Sequence, residues 1–177
     1  MNKILKKIKK LELIISYRSN RLASNNKIVF YLFRIITFTA EWWMFLFYGL
    51  ILLSINKAVA YDCIKMGLIA YSIHYPLYFL IKNNVKRKRP FVNNLNIKCL
   101  VKPPDQYSLP SGHSSASTIS TLIIFFFFPG IKLLIIWPVL AGLSRVVLGV
   151  HFISDVLFGI FLGYICFYIS YLILSVI

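Results

Sequence analysis

Five apolar stretches of membrane-spanning length account for most of this chain, and they decide what it can fold into. We place them at residues 35–55, 59–81, 113–129, 132–149 and 154–177. One helix needs about 20 apolar residues to cross a bilayer. Hydrophobic residues make up 59% of the 177 residues and charged residues only 14%, which is more apolar side chain than a soluble domain of this size buries. The sequence therefore predicts an all-α integral membrane bundle of about five transmembrane helices, and it excludes a cytosolic enzyme, a disordered chain and a secreted disulfide scaffold.

A basic leader, residues 1–34, precedes this membrane body of residues 35–177. The leader carries nine lysines and arginines against one acidic residue, Glu12. Its apolar residues recur at helical spacing between the lysines: Ile4, Leu5, Ile8, Leu11, Ile14 and Ile15. This pattern predicts an amphipathic helix that lies in the headgroup layer and contacts anionic lipids. A solvated basic tail is the alternative.

The net charge of +15 is compatible with a nucleic-acid partner or with phosphate at a membrane surface. The apolar composition favours the membrane, so we predict no nucleic-acid partner. The three cysteines, Cys63, Cys99 and Cys166, include no CxxC pair. We interpret them as core residues without a disulfide framework or a zinc site, and nothing in the sequence predicts a cofactor.

Three polar clusters stand at the ends of the predicted spans. They are Lys82-x6-Arg89-Pro90, Pro110-Ser111-Gly112-His113 and Ser144-Arg145-x5-His151-x3-Asp155. Ionisable groups in or beside a membrane span are costly and therefore indicate function. The second span ends and the third begins on one face of the membrane, and the fourth span returns the chain to that face before the fifth begins. Counting the crossings thus predicts that all three clusters meet in one site.

The third cluster has the spacing of an oriented nucleophile or base. His151 and Asp155 are four residues apart, so they share one face of a helix. A carboxylate behind an imidazole selects its tautomer and stabilises its cationic form. A second imidazole, His113, is available to act as an acid.

Cations surround this pair of imidazoles in the predicted site. Gly112 allows the backbone to approach a ligand closely, and residues 111–113 open a helix whose N–H groups and dipole favour an anion. The cations are Lys82, Arg89 and Arg145. Such a set is typical of phosphoryl transfer, in which catalysis consists mostly of positioning and charge stabilisation.

The remaining acidic residues do not favour a two-metal phosphatase. Glu12, Glu41, Asp62 and Asp105 each stand without another carboxylate nearby in the sequence, whereas a two-metal centre needs several such ligands. We therefore predict no metal site, and a reaction through a phosphohistidine fits the residues better.

Together, the three clusters resemble the signature of the type 2 phosphatidic acid phosphatase (PAP2) family, which shares its site with vanadium haloperoxidases. The signature reads K-x6-RP, PSGH and SR-x5-H-x3-D, and it is complete between residues 82 and 155. The resemblance implies a membrane lipid phosphatase in which His151 attacks phosphorus, Asp155 orients it and His113 protonates the leaving group. It also implies which residues hold the phosphate: Lys82, Arg89, Ser111, Gly112 and Arg145.

A site at the membrane surface suits a phosphate on a lipid anchor. The candidates are phosphatidylglycerol phosphate, phosphatidic acid, undecaprenyl diphosphate and lipid A 1-phosphate. We expect an integral protein of a bacterial inner membrane. The positive-inside rule places the leader and the site in the cytoplasm, whereas the resemblance implies an outward site, so both orientations stay open. The alternative functions are a non-catalytic lipid-phosphate carrier or scramblase and a vanadate-dependent oxidation enzyme, the latter opposed by the membrane composition.

Several polar residues lie outside the signature. We interpret the run from Lys86 to Lys88 as a solvated or headgroup-binding face, and His74 as a hydrogen-bonded core histidine. Glu41, Asp105 and Tyr107 are further candidates for contact with the site or with a headgroup.

Overall fold

The computed structural model describes residues 3–176, apart from the side chains of Ile4, Leu5 and Trp42. Every regular element in this range is helical. The helices are α1 (Lys3–Asn25), α2 (Lys27–Phe38), α3 (Trp42–Ile55), α4 (Lys57–Val85), α5 (Pro90–Asn93), α6 (Gly112–Phe127), α7 (Trp137–Val147) and α8 (Ile153–Val176), with a 3₁₀ turn (Lys132–Ile136) directly before α7. The all-α bundle predicted from the apolar stretches is confirmed.

Among the described residues, two segments are long and apolar enough to cross a membrane by themselves, Lys57–Asn93 and α8. Helices α2 and α3 meet at 63° and add a third crossing if the bent pair is counted as one span. Helix α6 is a shorter apolar helix. The predicted first span, residues 35–55, is therefore broken at residues 39–41, where the chain turns before α3 begins.

Helices α4, α6 and α8 pack into the main core of the bundle. Cys63 of α4 and Cys166 of α8 are buried in this core, as predicted. Cys99, between α5 and α6, is exposed, so its interpretation as a core residue is wrong. Two glycines of α8 allow the close approach to α6. A Cβ atom at Gly159 would lie 2.6 Å from the carbonyl oxygen of Ser111, and one at Gly163 would lie 2.5 Å from that of Ser115. Small residues at this spacing allow two helix backbones to touch.

The polar segment between α4 and α6 lies against the turn that joins α7 to α8. Val101 packs there with Leu148 and Val150, and phenylalanines of α2 and α5 cover this second, smaller core. The backbone N–H of Leu100 donates to the carbonyl of Leu148 across 3.2 Å. The segment is therefore folded onto the helix ends that carry the third polar cluster.

The leader is helical, and α1 packs against α2, α7 and α8. Its buried face is formed by polar and small residues, and its apolar residues Ile8, Leu11 and Ile15 are exposed. Contact of this exposed face with lipid headgroups stays a prediction, and the parts of it that concern the side chains of Ile4 and Leu5 lie outside the described residues. The boundary at residue 34 also stays a prediction; it falls within α2.

Candidate active site

Four helix ends meet on one side of the bundle: the end of α4, the start of α6, the end of α7 and the start of α8. The backbone N–H of Ser111 donates to the carbonyl of Asp155 across 3.0 Å. From the first cluster, Nη1 of Arg89 donates to the carbonyl of Val150 across 2.8 Å. The structure thus brings the three predicted clusters into direct contact.

His151 lies between a carboxylate and a guanidinium. Its Nδ1 is 3.6 Å from Oδ2 of Asp155, and its Nε2 is 3.4 Å from Nη1 of Arg89. Asp155 is fully buried, and its Oδ2 also accepts a hydrogen bond from the backbone N–H of Phe152 at 2.8 Å. Because the carboxylate faces Nδ1, the Nε2 atom is the one available to a ligand held by Arg89.

The environment of His151 keeps its imidazole neutral. Burial lowers the pKa of His151 to about 4; the Asp155 carboxylate acts against this change, and the positive charges of Arg89 and Arg145 add to it. An imidazole whose pKa lies below its ordinary value is unprotonated at pH 7 and keeps a nucleophilic lone pair.

Lys82 and Arg89 are buried and share one carboxylate. Lys82 Nζ is 2.6 Å from Oδ2 of Asp105, and Arg89 Nη2 is 2.7 Å from its Oδ1. The hydroxyl of Tyr78 also donates to Asp105 at 2.8 Å. Burial raises the pKa of Asp105, but the hydrogen bonds of Lys82 and Tyr78 and the charges of Lys82 and Arg89 outweigh it, so the pKa lies below its usual value. The two cations are therefore spaced so that a single oxyanion can bind both.

Two more of the predicted site residues, Arg145 and His113, reach towards α2 and α3. Nη1 of Arg145 donates to Oγ1 of Thr37 across 2.8 Å. Nε2 of His113 lies 3.4 Å from Oε1 of Glu41, which stands at the break between α2 and α3. The bent pair α2 and α3 thus contacts the site through Thr37 and Glu41, and Glu41 lies beside a predicted site residue.

Ser111 and Gly112 form the start of α6. Ser111 caps this helix, since its Oγ accepts hydrogen bonds from the hydroxyl and the N–H of Ser114 at 2.8 Å and 3.4 Å. Gly112 lies against the Tyr78 ring, where an added Cβ would be 3.3 Å from ring atoms. Their predicted contacts with phosphate stay a prediction.

Several buried nitrogens of the site lack a hydrogen-bond partner. Within residues 3–176, five buried side-chain atoms have no hydrogen-bond partner. Three of them belong to signature residues: Nε2 of His113, Nε of Arg145 and Nδ1 of His151. A buried polar atom left unpaired costs about 1–3 kcal/mol. Nε of Arg145 is a donor to which a bound anion would supply an acceptor, whereas Nδ1 of His151 faces Asp155 and Nε2 of His113 faces Glu41.

The match to known families agrees with this geometry. The family model of the PAP2 superfamily matches residues 63–176, more than half of the chain. This chain belongs to the PAP2 superfamily. The matched residues contain all three polar clusters, and the structure gathers these clusters at one end of the PAP2 bundle.

A curated phosphatase is similar in sequence to part of this chain. Over 91 residues, the chain is 35% identical to decaprenylphosphoryl-5-phosphoribose phosphatase from two strains of Mycobacterium tuberculosis, a match over 51% of this chain and 50% of that protein. The chain thus spans about half the length of the curated relatives it matches.

Among solved structures, the PAP2 fold recurs over almost the whole chain. A transmembrane PAP2-type phosphatidylglycerolphosphate phosphatase from Bacillus subtilis superposes with a TM-score of 0.75 and 22% identity, covering 97% of this chain and 88% of that one. LpxE of Aquifex aeolicus superposes with a TM-score of 0.71 and 22% identity, covering 85% and 91%. At these identities the likeness shows the fold.

Arg87 corrects one interpretation made from the sequence. The charge pattern groups it with Lys86 and Lys88 as a solvated or headgroup-binding face, but its Nη1 lies 2.7 Å from Oδ1 of Asp155 and its Nη2 lies 2.7 Å from Oε2 of Glu12. Lys86 caps α4 with a left-handed backbone (φ 48°), and this turn directs the following residue back towards α8. Nothing in the charge run marks Arg87 as different, since the turn that separates it from its neighbours is not visible in the sequence.

His74 agrees with its interpretation. It is buried on α4, and its Nε2 is 2.7 Å from Oγ of Ser115.

Lys86 and Arg87 are expected to respond differently to substitution. Lys86→Ala removes an exposed side chain and should leave kcat within about twofold of wild type, because alanine and lysine meet the same backbone strain at φ 48°. Arg87→Met removes a cation from a buried carboxylate and should lower kcat by about tenfold or more. Steady-state rates of lipid-phosphate hydrolysis measure both. A complete loss of activity in Lys86→Ala would contradict this assignment.

Proposed function

We propose that this PAP2 protein hydrolyses a phosphate monoester or diphosphate on a membrane lipid, independently of metal ions and through a phosphohistidine at His151. The observation that carries the proposal is the placement of His151 between buried Asp155 and Arg89. Family membership and the named phosphatases among the relatives support the class of phosphoric ester hydrolase.

The reaction has two steps. In the first, Nε2 of His151 attacks phosphorus, the bond from phosphorus to the oxygen of the leaving alcohol or phosphate breaks, and His113 in its protonated form gives a proton to that oxygen. Asp155 stabilises the positive imidazole that forms. In the second, water gives a proton to His113 and attacks phosphorus, the P–N bond breaks, and inorganic phosphate leaves. The cations that hold the non-bridging oxygens are Lys82, Arg89 and Arg145.

The Asp105 carboxylate indicates where the phosphate would bind. It bridges Lys82 and Arg89 at 2.6 Å and 2.7 Å, and Arg89 in turn contacts His151. A phosphate that exchanges with this carboxylate would keep both cations paired, so their charges would not be left buried without a partner. Binding of substrate therefore displaces Asp105 from the two cations.

An apolar groove offers a place for the lipid chain. A cavity of about 550 Å³ lies between α3, α4 and α6, lined by residues such as Phe45, Leu52 and Ile123. Tyr71 lines it as well, and the Tyr71 ring contacts the ring of His74 beneath the start of α6. None of the described residues that line the cavity belongs to the three polar clusters, so an acyl or prenyl chain would reach it from the site along α4, past His74 and Tyr71.

The substrate panel follows from the chemistry and from the relatives. It contains phosphatidylglycerol phosphate, phosphatidic acid, undecaprenyl diphosphate and lipid A 1-phosphate. A polyprenyl phosphosugar with a terminal phosphate is added, because a curated relative is named for such a lipid. All are bacterial inner-membrane lipids or precursors, and we propose that membrane as the location.

The proposal is tested with protein purified in detergent and returned to vesicles that contain each lipid. We expect release of inorganic phosphate from at least one lipid. With lipid labelled in its phosphate, rapid quenching should also trap label on the protein in a bond that is labile to acid and stable to alkali, as expected for phosphohistidine. Binding of a lipid phosphate without any release would instead favour a non-catalytic carrier or scramblase.

Metal independence has its own test. Within residues 3–176, no three His, Cys, Asp or Glu side chains are grouped as ligands for a metal ion. We expect the rate of phosphate release to be the same with and without EDTA. Inhibition by EDTA that added Mg²⁺ or Mn²⁺ reverses would show that a metal ion takes part.

A further inference from the structure

Glu12 of the leader is buried, although it lies in a strongly basic amphipathic helix. Only 9% of the residue is exposed. Its Oε2 accepts a hydrogen bond from Nη2 of Arg87 at 2.7 Å, and its Oε1 accepts one from the backbone N–H of Ser154 at 3.1 Å. Ser154 belongs to the first turn of α8, where backbone N–H groups have no partner within the helix. Glu12 therefore joins three parts of the chain, α1, the segment after α4 and the start of α8.

The same face of α1 is held two turns further on. The amide nitrogen of Asn20 donates to the carbonyls of Lys98 and Val147 at 2.9 Å and 3.1 Å, and its oxygen accepts from the N–H of Lys98 at 2.8 Å. Ser16, between the two, is fully buried. Glu12, Ser16 and Asn20 thus form a polar seam that fixes α1 against the helix ends of the site.

The contacts of Glu12 continue to the nucleophile. Nη1 of Arg87 donates to Oδ1 of Asp155 at 2.7 Å and to Oγ of Ser154 at 2.5 Å. The guanidinium lies 4.3 Å from the centre of the Phe152 ring, on the residue that follows His151. Asp155 in turn faces Nδ1 of His151 at 3.6 Å. A series of contacts therefore runs from the leader helix through Arg87 and Asp155 to the imidazole.

We propose that Glu12 is a positioning residue of the active site, which holds Arg87 and the start of α8 so that Asp155 is aligned with His151. The inference rests on the proposed phosphohistidine mechanism and goes beyond it, because it makes the leader helix a part of the catalytic apparatus. Glu12 is the second carboxylate that binds Arg87, since the same guanidinium also binds Asp155.

The effect of Glu12 should fall on the chemical step. The cations that hold phosphate, Lys82 and Arg89, do not contact Glu12, so substrate binding should change little. Glu12→Ala should lower kcat by about tenfold and leave KM within about twofold, since a small misplacement of a reacting group has effects of this size or larger. Glu12→Gln keeps an acceptor oxygen and should recover part of the rate, to within about threefold of wild type.

A double-mutant cycle separates positioning from a general loss of structure. If Glu12 acts through Arg87, the variant with both Glu12→Ala and Arg87→Met should have a kcat within about threefold of Arg87→Met alone. Lys10→Gln is the matched control, since Lys10 is an exposed residue of the same helix whose change also removes one charge. Thermal unfolding in detergent is measured for every variant.

The outcomes are distinct. A Glu12→Ala protein that melts as wild type does and keeps a wild-type kcat overturns the inference, as does a double variant whose losses multiply. If Glu12→Ala does not fold, Glu12→Met takes its place, because methionine fills the same space without an acceptor oxygen, and its kcat decides in the same way. Hydrolysis that survives His151→Ala, or a wild-type protein that hydrolyses no lipid phosphate, overturns the proposed function and the inference with it. Hydrolysis that depends on His151 but not on Glu12 overturns the inference alone.

Discussion

His151→Ala is expected to abolish lipid-phosphate hydrolysis while the bundle stays folded. The imidazole is the group that forms the covalent intermediate in the proposed mechanism, and loss of such a nucleophile lowers kcat by about 10³-fold or more. The residue lies in the turn before α8 and is not part of the main core, so its truncation should leave thermal unfolding in detergent close to that of wild type. The measurement is phosphate release together with phosphate label trapped on the protein.

Two comparisons make the result specific to His151. Asp155→Asn keeps the size and shape of the side chain but removes the negative charge that stabilises the imidazolium. It should lower kcat by about 10²-fold or more. His74→Gln changes another buried histidine and retains a hydrogen-bonding group for Ser115, so its kcat should stay within about threefold of wild type. Trapped label in the His151→Ala protein would contradict the assignment of the nucleophile.

Gly149→Ala is expected to damage both stability and activity. Gly149 has a φ of +81°, and a Cβ atom there would lie 2.3 Å from the carbonyl oxygen of Lys98 and 2.8 Å from Nδ2 of Asn20. The left-handed backbone strains alanine, and the neighbouring backbone cannot rotate away as a flexible side chain can. We expect the free energy of unfolding to fall by about 2–3 kcal/mol or more.

The activity should fall because of where this glycine lies. The turn it occupies is closed by hydrogen bonds from the N–H groups of Val150 and His151 to the carbonyl of Arg145, at 3.0 Å and 3.3 Å. A displaced turn therefore moves Arg145, the proposed phosphate-binding cation, together with His151, the proposed nucleophile. Gly130→Ala is the matched control, since a Cβ there meets no atom within 4 Å. Melting and activity of Gly149→Ala equal to those of Gly130→Ala would show that the turn accepts an alanine.

The contacts around the signature explain why part of the site was predictable. The residues of the signature lie at the ends of apolar spans, and counting crossings is enough to bring Arg89, Ser111 and His151 to one membrane face. Their backbone conformations are determined locally, since each of these residues lies at or next to the start or end of a helix. The family match over residues 63–176 includes these residues.

Other groups of the site were missed or left as guesses. Arg87 was placed on a solvated face, and Glu12 was noted only as the one acidic residue of the leader. A signal for Glu12 was present, because Glu12, Ser16, Asn20 and Ala23 recur at helical spacing and all are buried. The amphipathic helix was predicted from the apolar residues of the leader, and in the structure three of these, Ile8, Leu11 and Ile15, are exposed.

By itself, the sequence determined that the chain is an all-α membrane bundle, and that two imidazoles, a carboxylate and three cations converge at one end. These conclusions need only hydrophobic periodicity, helix termini and the parity of crossings, all of which are properties of short segments. Only the tertiary structure decided that Asp105 pairs with Lys82 and Arg89, that Glu41 lies beside His113, and that the leader is held to α8 through Glu12. Each of these contacts joins segments that are distant in the chain, and each forms because a buried charge must find a partner wherever packing places one.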